Sequence, residues 1–273
     1  MIELTEAIPF AKTANNFLSG LRVKSVEVLN TPHKFAWINH DANDYQNLLT
    51  NHVINEVKAS SHYLRIIFDN GIELALAEDV NINYCINKGT VEKSQLRLDF
   101  TNGFSLLINI KLYGFLLLGS KEELMNSQPY YKKAVQGISP LDEKFTYDYF
   151  KERTYLDSKK GTVKQALATE QHIPGLGNGL LQDILFQAKF NPKYKLSTMT
   201  ENDKWVLYQA VKDKILEIVS KGGRNQQTDL LGNPGGYETL MISSRDLCPK
   251  CSTKLIKEAY LGGKVIYCPS CQK

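Results

Sequence analysis

Apolar residues at Ala7, Ile8, Ala11, Ala14, Phe17 and Leu18 recur at helical spacing near the start of the chain, the stripe of an amphipathic helix. Thr5 stands where an N-cap belongs and Gly20 where a helix stops. From Val23 to about Leu118 the pattern shortens to β-rich runs: Val23 to Leu29, Lys34 to Ile38, Val53 to Ala59, Tyr63 to Phe68, Ile72 to Ala77, Gln95 to Phe100, Ser105 to Ile110 and Tyr113 to Leu118. Asp69-Asn70-Gly71 and Thr101-Asn102-Gly103 lie between consecutive runs, and Asn-Gly is a strong hairpin signal. This half therefore reads as an antiparallel sandwich or barrel. After Pro129 and Ile138-Ser139-Pro140-Leu141 the period lengthens again, predicting helices over Tyr147 to Glu152, Val163 to Gln171, Gly179 to Ala188 and Glu201 to Ser220.

The pattern implies a multidomain α+β chain. A leading helix and β-sandwich occupy 1–125, a linker 126–140, a helical domain 141–221, a Gly-rich loop 222–243 and a cysteine-bearing ribbon 244–273. The loop, with Gly222-Gly223 and Gly232-Asn233-Pro234-Gly235-Gly236, has a length usual for functional or mobile segments.

Cys248, Cys251, Cys268 and Cys271 form two CxxC knuckles separated by sixteen residues. Four thiolates at that spacing suit one closed tetrahedral zinc site, with no ligand position open for chemistry, so the metal is expected to be structural. Thr253 to Ile256 and Lys264 to Tyr267 read as the strands of a zinc-ribbon hairpin joined through Gly262-Gly263. The alternative for the knuckles is a pair of redox disulfides. Cys85 is expected as a lone thiol.

Composition adds little beyond an ordinary globular protein: 42% hydrophobic and 23% charged residues in 273. No apolar run approaches the roughly 20 residues of a membrane span, and the N-terminus lacks a signal-peptide layout, so the expected location is cytoplasmic. The net charge of +4 is mild, but from Lys221 onward eight basic residues face four acidic ones, which puts that excess in the C-terminal fifth. Such an end suits a phosphate backbone, or is simply a solvated basic surface.

Pro174-Gly175-Leu176-Gly177-Asn178 lies between two helical runs. A turn of this kind can present backbone N–H groups to a phosphate at a helix N-terminus, or Asn178 can merely cap the helix.

Taken in order, the leading helix, β domain, Pro-Gly-Leu-Gly-Asn turn, Gly-rich loop and four-cysteine ribbon ending Cys-Pro-Ser-Cys-Gln-Lys resemble the formamidopyrimidine-DNA glycosylase and endonuclease VIII family over essentially the whole chain. Val163 to Ala188 looks like its helix-two-turn-helix, and Met1-Ile2-Glu3-Leu4-Thr5-Glu6 like its Met-Pro-Glu-Leu-Pro-Glu opening. The resemblance implies bacterial base-excision repair on damaged double-stranded DNA, by a monomer with no nucleotide cofactor. A base is flipped into a cleft between two domains, an N-terminal amine attacks the sugar C1′, and a Schiff base permits strand cleavage. It also implies phosphate contacts from Lys164 and Asn178, a wedge at Lys111-Leu112-Tyr113-Gly114 with Tyr113 filling the vacated space and Lys111 near the orphan base, and proton transfer by Glu3 and Glu6. Tyr113 as an aromatic facing the sandwich core is the alternative, as are Glu3 and Glu6 as simple helix-dipole partners.

Three positions depart from the family pattern. Ile2 stands where the nucleophilic proline belongs, which leaves the α-amine of Met1 as the simplest substitute and an internal lysine such as Lys34 as another. His62 matches the position of a catalytic lysine, and it reads either as a proton carrier or as an exposed neutral side chain. At the ribbon tip Gly263 aligns with the family's arginine, and the resemblance implies that Lys264 beside it reaches the same phosphate. The void-filling methionine has no counterpart around Glu78 to Asn83. These departures leave two functional expectations, a glycosylase and abasic-site lyase with a variant nucleophile, or a non-catalytic damaged-DNA binder. A ribbon protein for RNA or another protein is the third.

Overall fold

Helix α1 (Leu4–Leu18) begins one residue ahead of Thr5, which is fully buried inside it. Glu3 is the N-cap instead, its N–H donating to the Glu6 carboxylate at 3.2 Å. Leu4, Ala7, Phe10, Ala11, Ala14 and Leu18 form the buried face, whereas Phe17 of the expected stripe is exposed. The computed structural model describes residues 2–87 and 93–273. Their chain contacts divide into one unit running through Val135 and including Gln227–Gly235, and a second of Gln136–Gln226 with Gly236–Lys273.

In the first unit, strands β1 (Val23–Val28) and β2 (Ala36–Ile38) are followed by a helix that the periodicity did not reveal, α2 (Ala42–Leu49). Its sequence is mostly polar, and only Tyr45 and Leu49 are buried. The Asp41 side chain caps it by accepting the Asp44 N–H at 3.0 Å. Strands β3 (Ile54–Ser60), β4 (Tyr63–Phe68), β5 (Ile72–Ile86), β6 (Leu96–Phe100) and β7 (Phe104–Ser120) complete one sheet in the order β1-β6-β7-β5-β4-β3, with β2 pairing parallel to β7. The two runs expected around 105–118 are one long strand, β7. Just ahead of edge strands β1 and β3, Arg22 and Val53 form an antiparallel bridge, which brings the two edges of the sheet together in keeping with the expected sandwich or barrel.

Alternation along the long strands explains their unbroken apolar runs. Leu74, Leu76, Leu116 and Leu118 face the α1 side, while Ala75, Ala77 and Leu117 face Leu124, Tyr131 and Ala134 of α3 (Lys121–Ser127) and α4 (Pro129–Gln136). A strand covered on both faces has no polar side to show. The 126–140 segment expected as a linker thus contains the end of α3 and all of α4. Beneath them Arg65 makes a two-pronged ion pair with Glu73, which also accepts from the Tyr131 hydroxyl at 2.5 Å.

The second unit holds α5 (Tyr147–Thr154), α6 (Val163–Ala168), α7 (Asn178–Ala188), α8 (Glu201–Ser220) and the ribbon hairpin β8 (Ile256–Tyr260) and β9 (Gly263–Tyr267). The expected first ribbon strand, Thr253 to Ile256, lies further along, at Ile256–Tyr260. Part of the Gly-rich loop is tied down here. Asp183 of α7, fully buried, accepts from the Tyr237 hydroxyl at 2.9 Å and from the N–H groups of Leu240 at 3.0 Å and Met241 at 2.8 Å. Three donors satisfy a carboxylate that burial would otherwise penalise heavily.

Candidate functional site

In the second unit, the turn before α7 and the tip of the hairpin come together. Gly177 is the N-cap of α7 and Asn178 its first residue, so Asn178 does not serve as the cap. Its Oδ1 is buried without a hydrogen-bond partner among the described residues. A Cβ built on Gly263 would stand 2.1 Å from the Asn178 Nδ2, so any side chain at 263, the family's arginine included, displaces Asn178. Lys164 is buried along nearly its whole length, and its Nζ donates to the Tyr260 carbonyl at 2.5 Å. Burial lowers its pKa. Lys164 therefore fastens α6 to the end of β8, with two ammonium protons remaining for other acceptors. Lys264 is exposed on β9 beside this junction. Asn178, Lys164 and the hairpin tip thus form one locus, which the spacing of fourteen to one hundred residues between them could not reveal.

Behind the tip, the Sγ atoms of Cys248, Cys251, Cys268 and Cys271 all lie within 4.8 Å of one another. Pairs at 3.4, 3.5 and 3.9 Å are far from bonded sulfur. Tetrahedral Zn–S bonds of about 2.3 Å set sulfurs about 3.8 Å apart, so the donor set fits one metal ion, and no disulfide joins these residues. Cys85 is likewise a free thiol.

In the first unit, the residues expected to do chemistry surround an irregularity in the sheet. Between Glu78 and Val80 on β5 the partners on β7 jump from Gly114 to Ile110, so Lys111, Leu112 and Tyr113 bulge out of the ladder and are exposed. Tyr113 consequently does not face the core. Gly114 is needed where the strand re-enters, because a Cβ there would meet Ile110 and Val80 side-chain carbons at 3.2 Å. Glu78 takes the left-handed conformation, φ 73°, and its carbonyl accepts the Ile2 N–H at 2.9 Å.

His62, in the turn between β3 and β4, is buried and not exposed, with its Nε2 3.6 Å from the Glu78 Oε1. Burial pushes its pKa down to about 4, so the imidazole is neutral near pH 7. It cannot replace a permanently charged lysine. Glu78 is pushed upward, by burial first, while the Tyr113 hydroxyl bonded to it pulls the other way. Tyr113 rises to about 12, through burial and then through Glu78. Glu3 and Glu6 are both buried at the start of α1. Met1 lies outside the described residues. Glu78 was missed in the sequence, where its one signal is the Glu78-Asp79 pair that interrupts an otherwise apolar run. Lys34 lies near the Phe35 ring, Nζ 5.4 Å from its centroid.

Comparisons with known proteins agree with this architecture. The formamidopyrimidine-DNA glycosylase H2TH domain model matches residues 136–229. A formamidopyrimidine-DNA glycosylase of Pelotomaculum thermopropionicum is 27% identical over 284 residues, covering 100% of this chain and 99% of that protein. One from Bacillus cereus is 26% identical over 280 residues with the same coverage of both. Among solved structures, a complex between the Lactococcus lactis Fpg and an abasic site containing DNA superposes with a TM-score of 0.84 at 20% identity, covering 99% of each chain. The MutM (Fpg) protein of Thermus thermophilus gives 0.82 at 20% identity over 99% of this chain and 98% of that one. The chain is thus similar end to end in sequence to formamidopyrimidine-DNA glycosylases, matches their H2TH domain over residues 136–229 and shares the fold of their solved structures.

Proposed function

We propose that this protein binds double-stranded DNA at a damaged or abasic site and acts as a glycosylase and abasic-site lyase through an amine Schiff base, with the α-amine of Met1 as nucleophile. The observation that carries the DNA reading is the junction of Asn178, Lys164 and the hairpin tip: a helix N-terminus, a side-chain amide whose Nδ2 is a donor and a lysine-bearing hairpin meet at one locus, donors of the kind phosphates select. Lys111 and Tyr113, pushed out of the ladder, have the exposure a wedge needs. Zinc held by the four cysteines keeps the hairpin folded. The relatives' names as glycosylases, and the abasic DNA bound by the Lactococcus lactis protein, support the same substrate class.

In the reaction, the neutral amine forms a bond to C1′ while the sugar oxygen departs as water, leaving an iminium. Loss of the C2′ proton then sends electrons toward the iminium as the C3′–O bond breaks and the phosphate leaves with its pair. An α-amine with an ordinary pKa of about 7.7 to 8.0 is partly neutral in the cell and needs little tuning. Glu3, buried beside the chain start, is the carboxyl for proton transfer, with Glu6 fixed behind it.

Borohydride trapping on abasic duplex, followed by mapping of the cross-linked peptide, tests this. The expected product is an N-terminal adduct. An adduct on Lys34 overturns the Met1 assignment. Tight, salt-sensitive binding without nicking at any protein excess establishes instead the non-catalytic binder, a reading favoured by Ile2 and by the neutral, buried His62.

A further inference from the structure

The geometry points to Glu78 as a further catalytic carboxyl, donating the proton that the sugar oxygen takes up as the amine attacks; this rests on the lyase reading above. Four observations converge on it. Its backbone carbonyl holds the Ile2 N–H at 2.9 Å, which fixes the second residue of the chain against the bulge. Its side chain lies between His62, 3.6 Å away, and the Tyr113 hydroxyl, so it touches the lysine-replacing position and the wedge at once. It is only 13% exposed, and its one charge partner among the described residues is a histidine that burial holds neutral. Its backbone stays left-handed at φ 73°, a conformation that strains an L-residue and that glycine adopts freely.

A residue kept where it strains the backbone, with a neutral histidine as its ion-pair neighbour among the described residues, has poor reason to be there for stability, and strain of this kind gathers at functional positions. The titratable groups facing it are Glu3 from the helix cap, its neighbour Asp79, His62 from the β3–β4 turn and Tyr113 from β7, with the chain's α-amine drawing its pKa down. Burial and the two acids favour its protonated form, which suits an acid. As the nitrogen bonds to C1′, the carbonyl π pair moves to oxygen, which takes the Glu78 proton. The carboxylate so formed accepts a proton from the nitrogen, and returns it to the new hydroxyl when water leaves. The iminium and a carboxylate remain, so protons and charge balance.

The test compares wild type, Glu78→Gln and Glu78→Gly in single-turnover borohydride trapping on duplex carrying a natural abasic site, from pH 5 to 9, with affinity for the same duplex measured alongside. Glycine relieves the left-handed strain, so Glu78→Gly is expected to melt no lower than wild type and guards against misfolding. Both variants are expected to form adduct at least tenfold more slowly at pH 7, with affinity within about twofold. Wild type should show a bell-shaped profile, and both variants only the limb that rises as the amine deprotonates. Wild-type rates and an unchanged bell in Glu78→Gln overturn the assignment while leaving the lyase reading intact. Absence of any adduct with wild type overturns both.

Discussion

The hairpin junction of the second unit and the sheet irregularity of the first are built in opposite ways. At the junction, Asn178 and Lys164 keep polar side chains against the hairpin, and Gly263 leaves open the space that the Asn178 amide occupies. Around the irregularity, by contrast, His62 is buried and neutral, Ile2 is buried, and a strained acid, Glu78, links them. Binding tolerates substitution when the donors stay in place, because phosphate contact is largely electrostatic. Chemistry depends on which atom holds a proton, so a change of residue type there demands a new arrangement of neighbours.

The largest expected effect breaks the junction side. Removing the metal by chelation, or replacing Cys268 with serine, should unfold the hairpin, because metal binding supplies roughly 10–16 kcal/mol of folding free energy in isolated zinc modules. At least a hundredfold loss of affinity for abasic duplex is expected, with one zinc per chain measured beforehand. Retained affinity would remove the hairpin from the interface.

On the other side, Glu3→Gln should reduce strand cleavage about 10²–10⁴-fold at near-constant affinity, measured in single turnover. Equal cleavage by the variant would strip Glu3 of its proton-transfer role.

A stability measurement sharpens the contrast further. With the His62 pKa near 4 in the folded state and about 6.5 when unfolded, only the unfolded chain binds the proton between those values. Stability due to this group is thus complete above about pH 6.5 and falls by about 3 kcal/mol as the pH approaches 4. His62→Gln should flatten that part of the pH dependence in denaturant titrations. An unchanged slope would mean that the imidazole is not held neutral.

Smaller effects are expected from single changes at the junction. Asn178→Ala should weaken binding about 5- to 30-fold, and Gly263→Ala should reproduce much of that loss by displacing Asn178. Lys264→Ala should mainly reduce the salt dependence, by about 0.9 in the log–log slope, if it contacts one phosphate. If Gly263→Ala binds like wild type, the Asn178 side chain is not held by that packing.

Residue types and spacing determined a good deal here. The four cysteines, the Asn-Gly turns, the period-2 runs and the long α8 pattern each describe local chemistry, and local chemistry is written in neighbouring residues. Helix α2 escaped because its stability rests on a cap and two buried residues and not on a long stripe; α3, with seven residues and one of them buried, is too short to show a period, and α4 lies in the segment whose prolines mark a boundary. What tertiary structure alone decided is which distant groups share a dielectric and a wall. The strand partner that expels Lys111 to Tyr113, the burial that neutralises His62, and the approach of Gly263 to Asn178 all depend on residues far apart in the chain. A side chain's charge and its available space are set by what folds around it, and no local pattern of residues encodes that surrounding.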